Sequence, residues 1–132
     1  MTTTLDYPTA PASALRLLVE AEHGLTEAER ETTPAYRFAM AYLCALRAAA
    51  AMLALRGRPH RGRSRPTSVW TLLSAVAPEM REWAAFFAAG SATRAAVQAG
   101  ITRVVSERAA DDLVRQAGQF IGLVRRAIRA AS

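Results

Sequence analysis

The chain contains no lysine: all 17 basic side chains among its 132 residues are arginine. It has one cysteine, Cys44, which excludes an intrachain disulfide, and with two histidines, His23 and His60, no Cys/His spacing of a metal site can be drawn. Period-two alternation is missing and no glycine-rich turn follows a strand-like run, which disfavours a nucleotide-binding α/β fold. The opening Met1-Thr2-Thr3-Thr4-Leu5-Asp6 carries neither the basic start nor the apolar stretch of a secretory signal. The most apolar segment, Ala35 to Leu55, is interrupted by Arg37 and Arg47 and owes much of its character to alanine, so no membrane span is expected. These absences describe a single domain in a reducing, cytoplasmic setting, with no cofactor and no metal expected.

Alanine makes up roughly a quarter of the residues, well above ordinary usage. With the arginine bias it suggests a GC-rich genome, which by itself would raise the isoelectric point without any partner. The placement of charge says more. Arg56, Arg58, Arg61, Arg63 and Arg65 lie together with His60 between positions 56 and 66 and no acid interrupts them, while the other 12 arginines nearly balance 11 acids.

The pattern predicts an all-α fold, an antiparallel up-and-down bundle of four main helices with short connecting helices over residues 11–130, preceded by a flexible tail at 1–10. Helix one is expected from Pro11 to His23, with Gly24 as its stop and a capping-box turn at Thr26-Glu27-Ala28-Glu29. Thr33-Pro34 predicts the start of helix two, and Tyr36, Ala39, Leu43, Leu46, Ala50 and Leu53 form a stripe expected to face the core. The other side is also apolar, which suits a central helix or a subunit interface. Helix three keeps its register from Val69 to Phe87 through Pro78 and is expected to kink or split there. A short helix from Ser91 stops at Gly100, and Ser106 caps a last helix lined inside by Leu113, Ala117, Phe120 and Val124. Its outer face offers Arg108 with Asp112 and Asp111 with Arg115 as exposed pairs.

The run from Tyr36 through Ala41-Tyr42-Leu43-Cys44-Ala45-Leu46-Arg47, the arginine-proline segment, Trp70, Pro78-Glu79 and Glu82-Trp83-Ala84-Ala85-Phe86-Phe87 resembles an actinobacterial family of HEPN domains, as do Ala99-Gly100, Ala110-Asp111-Asp112-Leu113 and Phe120. The resemblance implies a helical bundle, often dimeric, in a superfamily spanning RNA-cleaving toxins, inactive RNA-binding forms and partners of small nucleotidyltransferases. It also implies, for the nucleases, an arginine followed after four to six residues by a histidine in a late helix. Here the late helix has no histidine. Arg16 and His23 meet the spacing on helix one; Arg56 and His60 fall one residue short, with Pro59 between them.

No catalytic residues are assigned. The candidate anion or nucleic-acid contacts are Arg56, Arg58, His60, Arg61, Arg63 and Arg65, a polycation without aromatics and hence without sequence preference. Arg37 and Arg47 either pair with carboxylates such as Glu79, Glu82, Asp111 or Asp112, or line an anion cleft. Trp70, Trp83, Phe86 and Phe87 are read as core. The expected partners are RNA or DNA, an acidic protein, and a second copy through the apolar excess of helix two or the last helix. An RNA endonuclease and a structural protein partner are the other readings.

Overall fold

The computed structural model describes residues 9–57 and 68–131. Three long helices, α1 (Ala12–Arg30), α2 (Pro34–Arg56) and α6 (Glu107–Ala131), each touch the other two. Between them come α3 (Val69–Val76), a 3-10 turn (Pro78–Met80), α4 (Arg81–Ala89) and α5 (Ser91–Gln98). Glu22 meets Arg125 and Thr9 shares a depression with Ala127 and Ala131, so α1 runs antiparallel to α6. Arg37 meets Asp111 and Leu55 shares that depression, so α2 and α6 run the same way and the short helices carry the chain back.

Several boundaries follow from local chemistry. Ser68 Oγ accepts from the Thr71 N–H at 3.1 Å and Ser106 Oγ from the Ala109 N–H at 3.0 Å, each satisfying a free donor at a helix start. Pro34 opens α2, where its missing N–H costs nothing. Gly100, at φ +92°, ends the α5 segment in a conformation that favours glycine. Pro78 splits helix three into α3 and α4.

Helix one differs from expectation: it does not stop at Gly24 but continues to Arg30. Thr26 Oγ1 donates to the Glu22 carbonyl inside the helix, so no capping box forms there. The physical reason is packing. A Cβ on Gly24 would lie 2.7 Å from Cys44 Sγ, so this glycine lets α1 approach α2. Gly24→Ala should gain about 1 kcal/mol of helix propensity but lose about 1–3 kcal/mol to overpacking, for a net loss. In a Cys44→Ala background the same change should become neutral or stabilising. Urea denaturation of the four variants checks this, and an unchanged sign in both backgrounds would refute it.

The core stripe of α2 is also corrected. Of its members Leu53 is buried, but Tyr36 is exposed and Ala39, Leu43, Leu46 and Ala50 are half-buried, whereas Ala41, Cys44, Ala45, Ala48, Ala51 and Met52 are buried. Surrounded by α1, α3, α5 and α6, the helix is apolar nearly all round, and the neighbours choose which side is covered. By length and composition α2 could cross a membrane, but it is the core helix of this bundle.

The aromatic residues divide. Trp70 and Phe87 are buried with Phe120, Trp83 is half-buried, and Phe86 is exposed, which corrects its assignment to the core. Tyr42 sits in the same cluster. Its hydroxyl donates to the Phe87 carbonyl at 2.7 Å and accepts from Trp70 Nε1 at 3.0 Å, while the Arg94 guanidinium lies 5.5 Å from its ring centre.

Candidate functional site

The basic segment begins on structured ground. Arg56 is the last residue of α2, and Gly57, at φ +83°, turns the chain away from it. Its guanidinium donates to the Val76 carbonyl at 3.2 Å and to Glu79 Oε2 at 2.5 Å. That hydrogen bond holds the Glu79 carboxyl below its usual range and raises the Arg56 guanidinium. Arg56 therefore ties the end of α2 to the α3–α4 junction. Arg58, His60, Arg61, Arg63 and Arg65 lie outside the described residues, as does most of the tail expected at 1–10. Within that tail span Ala10 is packed into the core.

Beside Arg56, an open depression of about 420 Å³ is lined by Thr9, Leu55, Ala127, Ala130 and Ala131, which puts the last turn of α6 at the same end of the bundle. Arg126 and Arg129 are exposed on that final stretch, with no carboxylate paired to them among the described residues. Neither is among the contacts expected from the sequence. The arginines of the last helix are plain in the sequence, but that its last turn lies beside Arg56 is not, because more than 60 residues separate them.

Arg37 is 9% exposed and serves as a clamp. It donates to the Glu31 carbonyl at 2.8 Å and meets Asp111 Oδ1 at 3.0 Å, joining the α1–α2 link to α6, while its Nε has no partner. The depression beside it is lined by Glu29 and Asp111, carboxylates that repel an anion. Arg47 lies 3.9 Å from Glu20, an acid the sequence reading did not name, and both side chains are partly exposed, so the pair contributes little. The two arginines thus meet different partners and do not converge on one cleft. Because Asp111 is taken by Arg37, Arg115 pairs instead with Asp112 at 2.7 Å. This corrects the two i,i+4 pairs expected on the last helix.

Arg16 and His23 are both exposed on α1, about 10 Å apart along its axis. His23 borders a small depression with Thr26, Glu27 and Arg30, and Arg16 is not part of its lining. Cys44 is buried; burial is the main cause that pushes its thiol up to about 11, with Arg47 opposing and Glu27 assisting. A thiol so placed is protonated and shielded at neutral pH. Among the described residues no group of three or more His, Cys, Asp or Glu side chains could hold a metal ion.

Among the described residues the chain is an all-helical bundle with a long buried α2, a split third helix and a long amphipathic last helix, an architecture that HEPN domains share. The sequence model of the SAV_6107-like HEPN family matches residues 28–125, and the chain belongs to that family. The matched span contains Arg37, Arg47 and the whole basic segment, and leaves out Arg16, His23, Arg126 and Arg129. No curated protein and no solved structure shows significant similarity to the chain.

Proposed function

We propose that this HEPN domain is a non-catalytic interaction module, working as a homodimer in the reducing cytoplasm, that binds RNA or DNA, or a nucleotide, through the arginines of residues 56–66. The observation that carries the reading is the run of positive charge in the sequence that begins at Arg56, the last residue of α2. Five arginines without an acid follow one another from Arg56 to Arg65, and the anchor of that segment lies beside the last turn of α6 with Arg129. Arginine in such density suits phosphate oxygens, and its affinity comes largely from counterion release. The absence of aromatics between positions 56 and 66 leaves no platform for base stacking there, so little sequence preference follows.

The RNA-endonuclease reading is the weaker one. Arg16 and His23 have the required spacing but lie on the first helix rather than a late one, outside the span matched by the family.

The test is fluorescence anisotropy of labelled single-stranded RNA and duplex DNA over a salt series. Wild type should bind in the micromolar range, with log affinity falling against log salt at a slope of about −4. Arg58, Arg61, Arg63 and Arg65 changed together to Gln should abolish binding at physiological salt, while thermal unfolding stays unchanged because the Arg56 anchor is kept. No binding at low salt would overturn the reading and point to an acidic protein partner. Cleavage of the RNA, lost in both Arg16→Ala and His23→Ala, would replace it with the nuclease.

A further inference from the structure

Gly122 sits in the interior of α6, where a glycine weakens the helix and needs a reason. Gly24 and Gly118 find theirs inside the bundle: an added Cβ would lie 2.7 Å from Cys44 Sγ at the first and 3.4 Å from Leu25 Cδ2 at the second. At Gly122 the nearest atom would be Arg125 Nη1 at 3.8 Å, an ordinary contact, so no neighbour among the described residues requires the missing side chain. What it leaves open is a groove of about 460 Å³ lined by Trp83 of α4 and by Gly118, Gln119, Gly122, Leu123 and Arg126 of α6.

The lining has the chemistry of a nucleotide site. Trp83 is half-buried, and its ring is nearly parallel to that of Phe87, with centres 6.3 Å apart, and lies 5.8 Å from Phe120, so the core fixes the plane of its open surface. An indole held in this way is a stacking platform for a base. Gln119 is exposed and carries both a donor and an acceptor for a base edge. Arg126 is exposed, has no carboxylate partner among the described residues and suits a phosphate. No carboxylate among the described residues lines the groove. A helix of another protein needs an apolar strip, and beside the indole there is one leucine among two glycines, an amide and a guanidinium.

The groove also leads somewhere. Gln119, Leu123, Arg126 and Ala130 follow one another in steps of four, three and four residues, which puts them on one side of α6, and Ala130 lines the depression beside Arg56. About 17 Å of helix separates Gln119 from Ala130. One strip of α6 thus connects the indole to the anchor of the basic segment. We propose that the groove takes a base of single-stranded nucleic acid, stacked on Trp83 over Gly122 with its phosphate at Arg126, and that the strand continues to the arginines that begin at Arg56. This inference rests on the nucleic-acid reading and names its substrate as single-stranded, because the bases of a duplex stack on one another and cannot enter. It supplies from α4 the aromatic platform that residues 56–66 lack.

Titration with a short single-stranded oligoadenylate should quench the tryptophan fluorescence, since Trp70 is buried and Trp83 is the indole that a base can reach. Gly122→Leu fills the groove at a position with room for a side chain, so thermal unfolding should stay the same or rise. The same variant should abolish the quenching and lower single-strand affinity about 5- to 150-fold, the range for losing one base–aromatic stack, while duplex DNA binds as before. Arg126→Gln, on the exposed surface, tests the phosphate contact without touching the packing: the single-strand salt slope should become shallower by about 0.7. Single-strand binding without quenching, unchanged in Gly122→Leu, would overturn the proposal while leaving the nucleic-acid reading of the basic segment intact. An equal loss for single strand and duplex in that variant would overturn it as well. A wild type that binds neither would sink both readings.

Discussion

Phe87→Ala should cost about 3–5 kcal/mol of stability, the range for emptying a fully enclosed aromatic site. Phe87 has no exposed surface, stacks on Trp70 with ring centres 5.1 Å apart, and meets Phe120 at 5.3 Å and Tyr42 at 6.4 Å. Four segments of the chain, α2, α3, α4 and α6, send a ring to this cluster, and α4 is a nine-residue helix with little else to hold it. The surrounding rings cannot collapse into the space without losing their contacts with one another. For a domain whose whole stability is on the order of 5–15 kcal/mol, the loss should lower the urea midpoint by a large fraction. The neighbouring Phe86→Ala serves as control, since Phe86 is 44% exposed and should cost much less. Equal losses at the two positions would mean that the cluster is not the packing centre of the fold.

Tyr42→Phe should have the next largest effect, out of proportion to the one oxygen removed. The hydroxyl links the Trp70 indole N–H to the Phe87 carbonyl, so its removal orphans a buried donor and a buried acceptor together. Each orphan costs about 1–3 kcal/mol, and the change creates no compensating contact because the ring still fills the same space. Unfolding should remain a single transition with an unchanged slope against urea and a lower midpoint. Tyr36→Phe, on the exposed face of the same helix, should change the midpoint little. Should the two tyrosines respond alike, the buried hydrogen-bond relay would not be what holds α3 and α4 against α2.

Much of the fold was legible because local chemistry settles it. Ser106 starts a helix where a short hydroxyl can accept from the first turn, and Pro34 opens α2. The spacing of Leu113, Ala117, Phe120 and Val124 turned one face of α6 inward because its opposite face is charged, and all four are buried. Gly24 was misread for an equally physical reason. A glycine in a helical pattern signals either an end or a close approach, and the partner that decides between them, Cys44, is 20 residues away. The anchor of the basic segment was half legible: the arginines were plain, but that Arg56 would be held by Glu79 and the Val76 carbonyl depended on how α3 returns to α2. Arg37 and Arg47 were recognised as needing partners, and the bundle gave one to Asp111 and the other to Glu20.

The sequence by itself determined the helical class, the starts of the later helices, the inner face of α6 and the concentration of charge between Arg56 and Arg65. These depend on a residue and its near neighbours, or on an amphipathic contrast strong enough to orient a helix alone. Tertiary structure decided the direction in which α2 faces, the continuation of α1 past Gly24 and the carboxylate partners of Arg37 and Arg47. A helix apolar on nearly every side has no preferred orientation of its own, and an arginine can reach several acids, so both choices fall to the elements that pack around them.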